Sequence, residues 1–149
     1  MNTYLARESA VIDAPAGQLY EIIADYHEGH PAILPARYFS DLTVIEGGQG
    51  KGTVIRVQLN VLGTKTLFNL QVTRAEPGRL LVEEDGAAGV VTTFELEPLE
   101  DGRTRVTIST EARTSPGMRG IIEKLMNPPV TRRIYREELQ QLAEVAASN

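Results

Sequence analysis

Between Phe39 and Glu111 apolar residues recur at every second position, and short turn signals cut the run at close intervals. That period belongs to a half-buried strand, because successive side chains leave opposite faces of a sheet. After a first strand at Asp41 to Glu46, the segment Thr53 to Val61 sets Ile55, Val57, Leu59 and Val61 against Arg56, Gln58 and Asn60. Phe68, Leu70 and Val72 share a face in Lys65 to Arg74. A short strand at Arg79 to Glu84 leads to Gly89 to Glu97, where Val90, Thr92, Phe94 and Leu96 are in register. Val106 and Ile108 share a face in Arg103 to Glu111. The links Leu62-Gly63-Thr64, Glu76-Pro77-Gly78, Asp85-Gly86 and Asp101-Gly102 are tight turns, so these six strands predict an antiparallel meander.

The flanks read differently. Thr3 to Ile12 carries no breaker and predicts a further strand. Asp13-Ala14-Pro15-Ala16 predicts a helix start, with Asp13 as the cap and Pro15 in the first turn, before a short stripe of Leu19, Ile22 and Ile23. Pro31 and Pro35 leave room for a single turn at Ala32-Ile33-Leu34. In the tail, Met118, Ile121, Ile122, Leu125 and Met126 form one helical stripe. Ile134, Leu139, Leu142 and Val145 with Ala146 form a second, beyond a break at Pro128-Pro129. The reading is an α+β fold over residues 1–149 as one domain. A seven-stranded curved antiparallel sheet wraps on a long C-terminal helix, with short helices after the first strand. One helix covers such a sheet only in part, and an apolar gap of that kind is where small molecules bind.

A chain of 149 residues needs no disulfide or metal to support a core. The absence of cysteine excludes disulfide scaffolds, thiolate zinc sites, iron–sulfur clusters and a cysteine nucleophile. Fifteen Lys and Arg against twenty Asp and Glu give a net charge of −5, which argues against nucleic acid as a partner. Met1 to Glu8 lacks the basic start and apolar run of a signal peptide, and no apolar stretch approaches the roughly 20 residues of an integral membrane segment. A cytoplasmic location is expected. Five Tyr, three Phe and no Trp leave Val, Ile, Leu and Met to wall any cavity, which favours a binder over an enzyme.

Ile12-Asp13-Ala14-Pro15-Ala16 with Leu19 to Tyr26 after it, Gly50-Lys51-Gly52-Thr53 opening a strand, Glu76-Pro77-Gly78-Arg79, and Thr92-Thr93-Phe94-Glu95-Leu96 before a hairpin follow one another along nearly the whole chain. In order and spacing they resemble the START-like (SRPBCC) superfamily, which includes polyketide cyclases and dehydratases, the birch-pollen allergen group and lipid-transfer domains. The resemblance implies the helix-grip fold and a hydrophobic cavity between sheet and C-terminal helix, taking a lipid- or polyketide-like compound. It supplies no shared catalytic motif, because the superfamily spans enzymes, carriers, receptors and chaperone co-factors. Many relatives carry a Trp after the first helix. Here Tyr26-His27-Glu28-Gly29-His30-Pro31 stands in that place.

Gly47-Gly48-Gln49-Gly50-Lys51-Gly52-Thr53 does not make a phosphate loop, since Gly52 separates Lys51 from Thr53 and a strand follows; it reads as a hairpin turn. His27 and His30, with Asp25 and Glu28 nearby, miss metalloprotease spacing, and the chain holds no third histidine. No metal or other cofactor is assigned. The same histidines suit acid–base work near neutral pH, with Tyr26, Tyr38, Arg56 and Tyr135 as candidate partners. Arg113, Arg119, Lys124, Arg132, Arg133 and Arg136 make a basic stretch. It reads as the solvated face of the last helix, paired with an acidic set of Glu83, Glu84, Asp85, Glu95, Glu97, Glu100 and Asp101.

The expected walls are Ile55, Val57, Leu59, Phe68, Leu70, Phe94 and Leu96 from the sheet and Met118, Ile122, Leu125 and Met126 from the helix. Ile33, Leu34 and Tyr38 form the mouth, with Tyr26, His27 and His30 at its rim. No catalytic residue is assigned, and the partner is a small hydrophobic ligand. Two alternatives stay open: a cyclase or dehydratase, in which two titratable groups converge deep inside, and a chaperone-activator-like interaction module with a filled cavity.

Overall fold

The chain enters as a long strand, β1 (Thr3–Ile12), and passes through two short helices, α1 (Ala16–Ala24) and α2 (Gly29–Ile33). Six strands follow: β2 (Phe39–Glu46), β3 (Val54–Val61), β4 (Thr64–Glu76), β5 (Leu80–Asp85), β6 (Val90–Pro98) and β7 (Thr104–Arg113). The last element is a 21-residue helix, α3 (Pro128–Ser148). The computed structural model describes residues 3–113 and 128–149. Among them, no helix is long and apolar enough to cross a membrane.

All seven strands join one antiparallel sheet in the order β1-β7-β6-β5-β4-β3-β2. The two short helices therefore carry the chain from one edge of the sheet to the other, and the meander returns to pair β7 with β1, Thr3 opposite Arg113 and Ile12 opposite Thr104. Leu81, Phe94, Val106 and Ile108 are buried on the covered face. α3 lies along β1 and against α1 and α2. Gln18 Nε2 donates to the Ala146 carbonyl at 3.0 Å, and Gln141 Nε2 to that of Ala32 at 3.1 Å, tying the three helices together.

Two expectations change. Asp13 does not cap α1: Pro15 holds that position and no side chain bonds to the first amides, because Asp13 lies two residues too early. Pro128 and Pro129 are the first described residues of α3, and the helical stripe expected ahead of them lies outside the described residues. The side chains of Arg113, Arg119 and Lys124 lie outside the described residues; among the rest of the basic stretch and the acidic set the pairings differ from the expected ones. Arg105 bonds Glu97 and Arg103 bonds Asp101, each at 2.6 Å, Arg136 reaches Glu8 on β1 at 3.6 Å, and Glu83 and Asp85 are buried.

Candidate ligand cavity and its buried acids

A cavity of about 90 Å³ opens between the sheet and α3. Leu34, Ile55, Val57, Leu59, Phe68, Leu70 and Phe94 lie along it, joined by Phe39, Val90 and Ile134. Other residues expected at the walls or the mouth are elsewhere. Leu96 is buried one step beyond Phe94 on β6, outside the cavity. Ile33 is fully buried, and Tyr38 sits under the Arg37 guanidinium, 4.8 Å from its ring centre; neither lines the cavity. Met118, Ile122, Leu125 and Met126 lie outside the described residues.

The rim is the largest correction. Tyr26 and His30 are only 1% and 2% exposed. His27 alone of the three faces solvent. Asp25 explains the inward turn. Its carboxylate accepts from the amides of His27 at 3.0 Å, Glu28 at 3.3 Å and Gly29 at 3.4 Å, and its carbonyl accepts from His30 N at 2.7 Å. The glycine-rich hairpin is the platform beneath this turn: Tyr26 N donates to Gly48 O at 2.9 Å and Gly50 N to Ala24 O at 3.1 Å. Gly48 has φ +134°, and a Cβ there would lie 2.1 Å from His27 Nε2.

Around His30 the buried polar groups converge. Its ring stacks on Tyr26 with centres 4.3 Å apart and meets the Phe94 ring edge-on at 5.6 Å. Nδ1 bonds the Ile23 carbonyl at 2.7 Å, while Nε2 lies 3.6 Å from Glu83 Oε2. That same oxygen accepts from the Tyr26 hydroxyl at 2.5 Å. Burial first, then the Glu83 charge, hold the Tyr26 phenol well above the ordinary tyrosine range, so it stays a donor.

On the helix side, Glu138 and Tyr135 face the same cavity. Glu138 is 2% exposed, and burial first, then the Glu83 charge, raise its pKa well above the usual carboxylate value. No hydrogen bond offsets that rise among the described residues. Tyr135 bonds Thr110, which bonds Thr92 at 2.7 Å, a hydroxyl chain across β6, β7 and α3. Burial holds the Tyr135 phenol above its ordinary range against the opposing pull of the Thr110 bond, with Glu138 adding to the rise. Thr131 completes this polar wall.

Of the candidate acid–base partners, Tyr135 lines the cavity and Tyr26 backs it through Glu83. Arg56 points outward and donates to Asn69 Oδ1 at 3.2 Å. Glu83 and Glu138 were missed, and each had a signal. Glu138 interrupts the stripe of Ile134 and Leu142, four residues from either. Glu83 pairs with Thr92 and Leu81 with Phe94, so the inward face assigned to Phe94 carries Glu83 with it. Such a pair, one acid biased toward its proton and one carboxylate held by a phenol, can give and take protons at one ligand.

The family described as polyketide cyclase / dehydrase and lipid transport matches residues 5–147. No curated protein gives a significant sequence match. Among solved structures, the chain is similar to the KanY protein, with 28% identity, a TM-score of 0.83 and 99% of both chains covered. It is also similar in fold to the Zhui aromatase/cyclase from Streptomyces sp. R1128, with 18% identity, TM-score 0.75 and 98% and 94% of the two chains covered. Norcoclaurine synthase from Thalictrum flavum, in complex with dopamine and hydroxybenzaldehyde, gives 16% identity, TM-score 0.72 and 99% and 88% coverage.

Proposed function

The chain belongs to the polyketide cyclase/dehydrase and lipid transport family, within the START-like (SRPBCC) superfamily, and from that premise we propose that it takes a small, largely apolar molecule into the cavity and moves protons on it. One observation carries this reading: Glu83 on the sheet and Glu138 on the helix, both buried, line the same cavity. A carrier would keep polar groups at its mouth, where they cost nothing. Burying two acids costs stability unless each is paired or hydrogen-bonded, and an acid with neither is the mark of a working site. The composition favoured a binder, and these two side chains move the balance to acid–base catalysis of the cyclase or dehydratase kind. In that chemistry Glu83 with His30 would take a proton from carbon beside a carbonyl, and Glu138 would give one to the oxygen. The aromatase/cyclase likeness supports the same class.

The test uses a 1,3-diketone as probe and follows exchange of its central hydrogens for deuterium by NMR. The wild type should accelerate exchange, and Glu83→Gln and Glu138→Gln should each lose about 10²–10⁴-fold of the acceleration. A diketone that binds but exchanges at the background rate would leave a carrier, and native mass spectrometry of protein from its host would then show the cargo.

A further inference from the structure

His30 has its two ring nitrogens committed to different partners. Ile23 offers Nδ1 a carbonyl oxygen at 2.7 Å, and a carbonyl can only accept, so Nδ1 carries a hydrogen. The neutral ring then holds its lone pair on Nε2, which faces Glu83 Oε2 at 3.6 Å. Stacking on Tyr26 and the edge of Phe94 keep the ring from turning away. Two lone pairs opposed in a buried site repel, and one proton on either atom turns that repulsion into attraction. The separation exceeds the ~2.7–3.2 Å of an N–H···O bond, so the proton is not locked between the two atoms and each can turn to a third group. Both residues line the cavity.

We infer that His30 and Glu83 hold one proton between them, and that this pair docks the hydroxyl of an apolar phenol or enol. A hydroxyl gives its hydrogen to whichever atom of the pair lacks one and accepts from the other, so no net proton is gained or lost. A carboxylate ligand could only accept, and it would bring a negative charge into a buried site beside Glu83. This names the ligand class of the proposed site and rests on the reading that the cavity takes a ligand.

The probes are 2-naphthol and 2-naphthoate, which share one ring system, with ¹⁵N-labelled protein observed through long-range proton–nitrogen correlations. The His30 Nδ1 signal should be that of a protonated nitrogen, and Nε2 should fall between the protonated and bare types. Glu83→Gln should move Nε2 to the bare type. Tyr26→Phe keeps the stacked ring and should move Nε2 the same way by less, since an unassisted Oε2 draws the proton toward itself. 2-Naphthol should shift Nε2 and bind at least about tenfold more tightly than 2-naphthoate, a preference that Glu83→Gln removes. A bare Nδ1, an Nε2 signal indifferent to both variants, or equal affinity for the two probes would overturn the inference. Naphthol docking as described with no diketone exchange would overturn the catalytic reading and leave this one standing.

Discussion

Glu138 on α3 and Glu83 on β5 face each other across the cavity, and burial first, then the Glu83 charge, raise the proton affinity of Glu138. Because the folded-state pKa of Glu138 is raised, its protonated form is the one that suits the fold. Its contribution to stability is whole below the ordinary carboxylate range and is lost as pH rises through the raised value. Glu138→Gln removes that dependence. The variant should gain on the wild type as pH increases from the usual carboxylate range, by at most about 1.4 kcal/mol per pH unit for one proton. Thermal unfolding across that span checks this, and parallel curves would show that Glu138 does not titrate differently in the fold.

Tyr26→Phe isolates the other acid. The phenyl ring keeps its stack on His30, but Glu83 Oε2 loses the hydroxyl that donates to it at 2.5 Å. A buried carboxylate stripped of one donor should cost about 1–3 kcal/mol. Urea unfolding at neutral pH would measure it, and adding Glu83→Leu in a double-mutant cycle should recover much of the loss, because the carboxylate that lost its donor is then gone.

The strands were legible because their alternation and turns are local. The meander from β2 to β7 and the inward faces of β3, β4 and β6 follow from period two alone. Glu83 was not legible locally: Leu80 and Leu81 are both apolar, so β5 has no face of its own until Phe94 across the ladder assigns one. The depth of Tyr26 and His30 was hidden for a related reason. It depends on the Gly48 carbonyl and the Asp25 carboxylate, contacts between a loop and a hairpin that no periodicity reports. Glu138 broke an apolar stripe in plain view, with Ile134 four residues before it and Leu142 four after.

Gly29 and Gly17 should respond in opposite directions to alanine. A Cβ on Gly29 would lie 2.3 Å from the Ile22 carbonyl oxygen, in backbone that cannot swing aside. Gly29→Ala should therefore destabilise by about 1–3 kcal/mol and loosen the turn that aims His30 inward. Gly17, in the first turn of α1, has nothing within 4 Å of its Cβ position, and Gly17→Ala should stabilise by about 0.5–1 kcal/mol. Equal effects in denaturant unfolding would mean that the α1–α2 contact is not the constraint.

The Tyr135–Thr110–Thr92 chain gives an asymmetric pair of substitutions. Tyr135→Phe removes the terminal hydroxyl and leaves Thr110 and Thr92 bonded to each other at 2.7 Å, so no buried polar atom is orphaned. Its cost should be near the net worth of one hydrogen bond, about 1 kcal/mol. Thr110→Val removes the middle of the chain while keeping its volume. The Tyr135 hydroxyl and Thr92 then lose their shared partner, and the loss should reach about 2–3 kcal/mol. The double variant should be no worse than Thr110→Val alone, because the orphaned phenol has gone. Urea unfolding of the three proteins decides it: equal costs for the two single changes would mean that Thr92, which also acts on the Tyr135 hydroxyl, satisfies it once Thr110 is lost.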